Sequence, residues 1–159
     1  MTERIVDRAD GGQRNGEEIA RWYAELFDAL AGLAFLLTGS RAVAEDVVQN
    51  VFTRCAARLP GLQHPPSYLR AAVVNECRTH HRRAARFTEQ PDNPELLPIE
   101  LLELRDALAR LSERRRAAVV LRYFCDLDMD EIAQLLDCRP ATVRSLLHRG
   151  VNELRGALR

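Results

Sequence analysis

A chain of 159 residues fits one ordinary domain or two small ones joined by a linker. Its apolar share of 47% is typical of a folded protein and excludes a disordered one, and its many Ala, Leu and Arg residues favour helices. The formal net charge is zero, which excludes a uniformly basic nucleic-acid binder. Every one of the 23 basic residues is Arg, however, and the basic runs at 78–86 and 114–116 leave a local DNA-binding surface open. A GC-rich genome would produce the same preference for Arg.

The N-terminal stretch is polar and lacks the apolar run of a secretory signal. No segment approaches the roughly 18 unbroken apolar residues of a membrane span. We therefore expect a cytoplasmic protein without membrane insertion whose cysteines are reduced; they are Cys55, Cys77, Cys125 and Cys138. A metal site built on Cys77, His80 and His81 has no evident fourth ligand. We expect no metal and no cofactor, and any redox role of the cysteines stays open.

The first half of the chain is expected to be helical after a disordered tail at residues 1–16, which is rich in Gly and charge. Apolar residues then recur every three or four positions over 17–37, which predicts an amphipathic helix. Gly39 suits the left-handed turn that ends such a helix, and Ser40 is placed to cap a second helix that runs to about Arg58.

Prolines divide the rest of the chain. Pro60-Gly61 and Pro65-Pro66 bracket a loop, after which Ser67 is expected to cap a third helix that ends near Arg86. The proline-punctuated acidic stretch at 87–98 is typical of a flexible linker. We therefore predict an all-α protein of two small helical domains, at residues 17–86 and 99–159, joined by that linker.

Four helices are predicted in the second half, and the last two form a helix-turn-helix candidate. The predicted helices start at Ile99, after Ser112, after the capping box Asp128-Met129-Asp130-Glu131, and at Pro140. Ala133 on the third of these lies ten positions before Val143 on the fourth, a spacing that lets the two helices cross closely. The exposed face of the last helix would carry polar side chains suited to the major groove.

Two segments resemble those of a known family. LSERRRAAVVLRYFCDLDMDEIAQLLDCRPATVRSLLHRGVNELRGAL resembles the C-terminal domain of extracytoplasmic-function sigma factors of the sigma-70 superfamily, in particular actinobacterial members. LTGSRAVAEDVVQNVFTRC and PPSYLRAAVVNECRTHHRR are similar to the family's polymerase-binding helix and −10 element reader. The resemblance covers about residues 19–158, and its motifs occur in the family's order. It implies a non-enzymatic initiation factor that directs RNA polymerase to promoters.

The resemblance assigns roles to individual residues. It implies contact with the β′ coiled coil of core polymerase for Asp46, Gln49 and Asn50. For the −10 element it implies contacts by His64, Tyr68, Asn75, Arg78, Arg82 and Arg83, of which Tyr68 and Asn75 would hold one flipped base and the arginines would bind phosphates. The family often has Trp where this chain has Tyr68, and a plain core role for Tyr68 stays open.

For the −35 element the resemblance and the exposed face of the last helix point to the following residues: Arg139, Thr142, Arg144, Ser145, His148 and Arg149. Arg139 occupies a cap position where a small residue is usual, so it either leaves the helix poorly capped or reaches a phosphate. Arg114, Arg115 and Arg116 either meet phosphates or form a solvated face. The implied partners are core RNA polymerase (β′ coiled coil and β flap), promoter DNA and an anti-sigma factor.

Two other classes of protein compete with this interpretation. A stand-alone helical repressor would bind duplex DNA without polymerase, and a helical adaptor would bind only proteins. The AEDVVQ segment argues against the repressor, and the Arg-bearing last helix argues against the adaptor. Enzymatic function finds no support, because no nucleophile elbow, phosphate-cradling Gly loop or HExxH motif is present, so we expect no catalytic residues.

Overall fold

The computed structural model describes the backbone of residues 3–84 and 99–158 and the side chains of residues 12–83 and 101–158. Within these ranges the chain is helical and contains no strand, which confirms the all-α prediction. The helices are α1 (Glu3–Thr38), α2 (Arg41–Cys55), α3 (Pro65–Ala84), α4 (Ile99–Ala109), α5 (Glu113–Tyr123), α6 (Met129–Leu135) and α7 (Pro140–Ala157), with a 3₁₀ turn at Leu59–Gly61. The predicted linker lies outside the described residues.

The first three helices form an N-terminal bundle, in which each helix contacts the other two. Their apolar faces are fully buried at Leu33, Val48 and Val73, one residue from each helix. The ring of Tyr23 on α1 stacks edge-on against Phe52 on α2, with 4.9 Å between the ring centroids. This packing fixes which face of α2 and which face of α3 point outward.

The last four helices form a C-terminal bundle, in which α7 packs on α5 and α6. Val143 is fully buried and Ala133 is almost fully buried, as the predicted crossing of the last two helices requires. Gly150 lets α7 approach α5 closely, because a Cβ atom there would lie only 2.8 Å from the Cγ2 of Val119. Any side chain larger than hydrogen at position 150 would push α7 away from α5.

The two bundles contact each other, mainly through α1 and α5. Their buried apolar residues form one connected cluster that runs from Leu30 to Leu147. Arg116 on α5 donates hydrogen bonds to four backbone carbonyl oxygens, one of them on Leu37 at the end of α1. Burial lowers the pKa of the Arg116 guanidinium from its ordinary value, and the charge of Glu113 partly offsets this.

Most predicted helix boundaries are confirmed by the backbone. Gly39 has φ +78°, the left-handed conformation that terminates α1, and the Ser40 side chain accepts a hydrogen bond from Val43 N at 3.2 Å. Asp128 and Glu131 form the predicted capping box at the start of α6. By contrast, the side chains of Ser112 and Arg139 make no capping hydrogen bond, although both stand at the predicted N-cap positions.

The prediction that Ser67 caps the third helix is wrong. α3 begins at Pro65, and Tyr68 N donates to His64 O at 3.2 Å, so His64 occupies the cap position and Ser67 lies inside the first turn. Proline is favoured at the first helical position because it has no N–H to leave unpaired and its φ is already helical. The proline pair therefore opens the helix rather than lengthening the loop. The second helix also ends earlier than predicted, at Cys55 rather than near Arg58.

The segment expected to be a disordered tail is helical from Glu3 onward. The packed part of α1 already supplies the costly helix nucleus, so each further turn costs little to add. Gln13 also donates a hydrogen bond to Glu17 one turn later, at 3.5 Å. The prediction of a disordered tail was based on glycine content and charge alone, and did not take into account that the segment continues directly into a packed helix.

Candidate nucleic-acid interface

One face of α2 is polar and points away from the bundle. Asp46, Gln49 and Asn50, the residues expected to contact polymerase, are all exposed, whereas Val47 and Val51 on the opposite face are buried. Spacings of three and four residues place the three polar side chains side by side on the helix. The structure thus brings them together as one acidic and amide-bearing surface.

The residues expected to read the −10 element follow α3 from its first turn to its last, and they differ in exposure. His64, Asn75, Arg82 and Arg83 are exposed, and Tyr68 is half-buried. Arg78 is also half-buried, and its Nε lies 3.6 Å from a carboxylate oxygen of Glu113 on α5. Part of this surface is therefore already occupied by a contact to the C-terminal bundle.

A cleft of about 460 Å³ lies between α2 and α3, and two of the predicted residues line it. Tyr68 and Asn75, the residues expected to hold a flipped base, both line this cleft, whereas His64 does not. The hydroxyl of Tyr68 accepts a hydrogen bond from Arg58 Nη1 at 3.4 Å. Tyr68 is therefore more than a core residue, because its side chain also lines an open cleft.

Three residues of this cleft were missed by the sequence analysis. Arg54 on α2 pairs with Glu76 on α3, with 2.6 Å between Nη2 and Oε2, and Arg58 lies one helical turn further along the chain. The signal in the sequence was the spacing of four between Arg54 and Arg58, on one side of the helix that was predicted to run to about Arg58. That spacing does not reveal that α3 supplies a carboxylate opposite, because the register between the two helices depends on core packing.

The outer face of α7 carries all the side chains expected to meet the −35 element. All six are exposed, five of them on the helix and Arg139 just before it: Arg139, Thr142, Arg144, Ser145, His148 and Arg149. Val143 and Leu147 on the inner face are buried. Within the described part of the chain, Arg144 and Arg149 make no hydrogen bond or ion pair, so their guanidinium groups project into solvent.

Arg114, Arg115 and Arg116 do not form a simple solvated face, because each has a partner inside the protein. Arg114 donates to Leu136 O at 3.1 Å and thereby satisfies a carbonyl at the end of α6, while Arg115 pairs with Glu153 on α7. Arg116 bonds to carbonyls of both bundles, as described above. All three side chains therefore connect helices within the protein.

The cysteines are free thiols, and two of them belong to the core. Cys55 and Cys77 are buried, and burial raises the pKa of the Cys77 thiol to about 12. Burial also raises the pKa of Cys125, an effect that nearby Arg70 opposes. Among the described residues, no group of three His, Cys, Asp or Glu side chains could hold a metal ion.

Comparison with known proteins shows the family. Residues 101–154 match the family model described as sigma-70, region 4. The chain is 32% identical over 129 residues to an RNA polymerase sigma-E factor of Streptomyces antibioticus, covering 72% of this chain and 70% of that one. It is 32% identical over 149 residues to the ECF RNA polymerase sigma factor SigL of Mycobacterium tuberculosis, covering 84% of each chain.

Solved structures show the same fold. The sigma factor RpoE of Bartonella quintana, in complex with the anti-sigma factor NepR, superposes with a TM-score of 0.74 at 21% identity, covering 89% of this chain and 97% of that one. CnrH in complex with the cytosolic domain of CnrY gives a TM-score of 0.69 at 23% identity, covering 94% and 93%. In the part of the chain that the structure describes, no helix is long and apolar enough to cross a membrane. The family model, the curated relatives and the shared fold together show that the chain belongs to the extracytoplasmic-function sigma factors. These are non-enzymatic proteins that bind core RNA polymerase and direct promoter recognition and transcription initiation.

Proposed function

We propose that residues 17–86 bind polymerase and read the −10 element, that residues 87–98 form the linker, and that residues 99–159 read the −35 element. The main observation behind this proposal is the amphipathic character of α7. Arg144 and Arg149 are exposed on its outer face, whereas Val143 and Leu147 are buried on its inner face. Such a helix can enter the major groove with its polar face toward the base edges. Arg139, which makes no capping bond, is then placed to meet a phosphate.

The cleft between α2 and α3 is the proposed site of the flipped −10 base. Taking a base out of the stack costs a few kcal/mol, so the protein must offer stacking and edge contacts in return. The ring of Tyr68 offers the stacking surface and Asn75 offers an amide edge. Arg78, Arg82 and Arg83 would bind the phosphates on either side, and His64 would meet the strand at the entrance of the helix.

Two surfaces are proposed to dock on polymerase. Asp46, Gln49 and Asn50 on α2 would bind the β′ coiled coil, because carboxylates and amides suit a basic partner surface. The β flap would bind the C-terminal bundle, where an apolar groove of about 740 Å³ has Tyr123 and Phe124 on its wall. Tyr123 is 69% exposed, and an aromatic side chain left so open is typical of a protein-binding surface.

An anti-sigma factor is the proposed regulator, and the cytoplasm is the proposed location. Two structural neighbours are complexes of a sigma factor with an anti-sigma factor or with a cytosolic domain. The apolar groove could also accept a helix of such an inhibitor, which would then compete with the β flap. The polymerase is a cytoplasmic enzyme, so its initiation factor must reach it there.

A pull-down of core RNA polymerase followed by run-off transcription tests this proposal. We expect the purified chain to bind the core enzyme and to yield discrete transcripts that core alone does not make. Asp46→Ala with Gln49→Ala should weaken binding at least tenfold, while Asp28→Ala with Gln13→Ala on α1 makes the same change of charge and should have no effect. Equal polymerase binding by both double variants would show that the docking surface is elsewhere.

A further inference from the structure

One wall of the cleft between α2 and α3 carries two arginines whose role is still open. Arg54 and Arg58 are both exposed, lie four residues apart at the end of α2 and just beyond it, and line the same cleft as Tyr68. The arginines proposed above to bind phosphates of the −10 strand all lie on α3 instead. A base that enters the cleft leaves its own phosphate at the cleft mouth, so the charges on the α2 side decide whether that phosphate is bound there.

The charge of Arg54 is neutralised inside the protein. Its Nη2 lies 2.6 Å from Oε2 of Glu76 on α3, and the side chain of Glu76 is only 21% exposed. A carboxylate in this position cancels the charge of the guanidinium and repels a phosphate that approaches it. Arg54 and Glu76 together therefore add no net charge to the cleft.

The charge of Arg58, by contrast, is not balanced by a carboxylate. Its Nη1 donates to the hydroxyl oxygen of Tyr68 at 3.4 Å, a long bond to a neutral acceptor, which orients the guanidinium without cancelling its charge. A guanidinium has five N–H donors, and this bond uses one of them. Among the described residues that line the cleft, Arg58 is therefore the cation that can still bind a phosphate.

The position of Arg58 also suits a strand that runs along the cleft. Its guanidinium lies at the hydroxyl tip of the Tyr68 ring, within one nucleotide's reach of a base stacked on that ring. On α3, the residues that line the cleft are followed one turn later by exposed Arg82, which lies 14 positions after Tyr68, or roughly 21 Å along the helix. This length is room for about six phosphates at the B-form spacing of 3.4 Å, and for fewer in a stretched strand.

We propose that Arg58 is a further DNA ligand of the −10 site. It binds the phosphate of the nucleotide whose base enters the cleft, and the hydroxyl of Tyr68 orients it. The strand then passes from the end of α2 to the last turn of α3, where the arginines of α3 bind the phosphates that follow. Glu76 restricts this role to Arg58, because it keeps Arg54 neutral. The inference rests on the function proposed above, since it requires the cleft to hold a flipped base.

Anisotropy titrations of the full chain with a labelled single-stranded oligonucleotide of mixed sequence, at several salt concentrations, test this inference. Arg58→Gln should bind several-fold more weakly, and the slope of log affinity against log salt should become shallower by about 0.7, because one phosphate contact is lost. The matched variant Arg54→Gln with Glu76→Gln removes an ion pair from the same cleft without changing the net charge, so its slope should equal that of the starting chain. Arg58→Lys keeps the charge and should also keep the slope of the starting chain.

A purely structural role of Arg58 would give a different result. Tyr68→Phe breaks the same hydrogen bond from the other side but keeps every cation, so its slope should stay that of the starting chain. Because the bond is long and exposed, urea denaturation should show Arg58→Gln and Tyr68→Phe unfolding at similar concentrations. An unchanged slope in Arg58→Gln, or an equal decrease of the slope in Tyr68→Phe, would overturn the role of Arg58 as a phosphate ligand.

Tyr68→Ala separates this inference from the function on which it rests. The expected result is weaker binding by both Tyr68→Ala and Arg58→Gln, with a shallower slope in Arg58→Gln alone. If Tyr68→Ala weakens binding and Arg58→Gln does not, the cleft holds the base and only the role of Arg58 is wrong. If neither variant changes binding, or if the starting chain does not bind the oligonucleotide, the strand does not enter the cleft and the proposed −10 site is wrong as well.

Discussion

The two helices proposed to read DNA, α3 and α7, present their side chains in different ways. On α7, Arg144 and Arg149 extend into solvent without a partner among the described residues. On α3, Arg78 is paired with Glu113 of the other bundle, and Tyr68 is bonded to Arg58 of the neighbouring helix. The two arginines of the proposed −35 surface are thus free of partners among the described residues, whereas the proposed −10 surface is partly engaged by residues of other helices.

This difference has a physical origin in how each helix is held. α7 is anchored along its inner face by Val143, Leu147 and the close approach at Gly150, so its outer face has no neighbour. α3 lies between α1, α2 and α5, so only a strip of it faces solvent. At Arg78 the binding surface becomes available only when Glu113 moves away, and a mutation there should therefore act on DNA binding and on packing together.

The largest effect is expected on α7. Arg144→Ala and Arg149→Ala should each weaken binding of a −35 duplex by about 1–3 kcal/mol, or roughly 5- to 150-fold, if they contact bases. Polymerase holoenzymes containing each variant can be compared by filter binding on promoter fragments. Arg21→Ala, which removes an exposed arginine from α1, is the control and should change affinity little. Losses well below this range in both variants would place base reading elsewhere on the protein.

On α3, the effect of Tyr68 should depend on its ring more than on its hydroxyl. Tyr68→Ala removes the stacking surface of the cleft and should weaken capture of the −10 strand by about 1–3 kcal/mol. Tyr68→Phe keeps the ring and loses only a long hydrogen bond to Arg58, so it should cost about 1 kcal/mol or less. Tyr68→Trp should bind at least as tightly as the starting chain. Permanganate reactivity of the melted −10 strand measures promoter opening by all three variants. Equal losses for Tyr68→Ala and Tyr68→Phe would contradict a stacking role for the ring.

The anchoring of α7 can be tested through stability alone. Gly150→Ala gains about 1 kcal/mol of helix propensity but places a methyl group against Val119 and Arg115, which costs about 1–3 kcal/mol. We expect a net loss of roughly 1 kcal/mol in the free energy of unfolding, measured by urea denaturation. Gly16→Ala on α1 has the same propensity gain and no neighbour, so it should be neutral or stabilising. A stabilised Gly150→Ala would show that α5 and α7 are less tightly packed than described.

The sequence predicted features that depend on local chemistry. The helix order, the left-handed turn at Gly39, the capping residue Ser40 and the capping box at Asp128 were all predicted correctly, because each is decided within one turn of the chain. Ser67 was misplaced because two plausible helix starts stood side by side, and Pro65 is the stronger one. The same locality explains why the outward face of α7 was predicted residue by residue.

Features that join distant parts of the chain were not predicted. Glu76 opposite Arg54, Glu113 opposite Arg78 and the bond from Arg116 to Leu37 O connect residues 22, 35 and 79 positions apart. Each depends on how helices pack in three dimensions, and no periodicity records that. Arg116 shows the limit most clearly, since a basic run that resembled a phosphate-binding cluster is used inside the protein.

The smallest effect, and the sharpest test of the difference between α3 and α7, comes from two arginines on α3. Arg83 is exposed, so Arg83→Gln should remove one phosphate contact. The slope of log affinity against log salt should then become shallower by about 0.7, so that the loss of affinity between 50 and 200 mM salt is roughly threefold smaller. Arg78→Gln should do less in the isolated chain, because the starting protein must first break its pair with Glu113 to use Arg78. Once Arg78 is released from Glu113, the two substitutions should become equal, and Glu113→Gln supplies that release. Anisotropy titrations of a labelled single-stranded oligonucleotide, with and without Glu113→Gln, give both comparisons. Equal effects of Arg78→Gln and Arg83→Gln in the starting chain would mean that the pair with Glu113 does not weaken the contribution of Arg78.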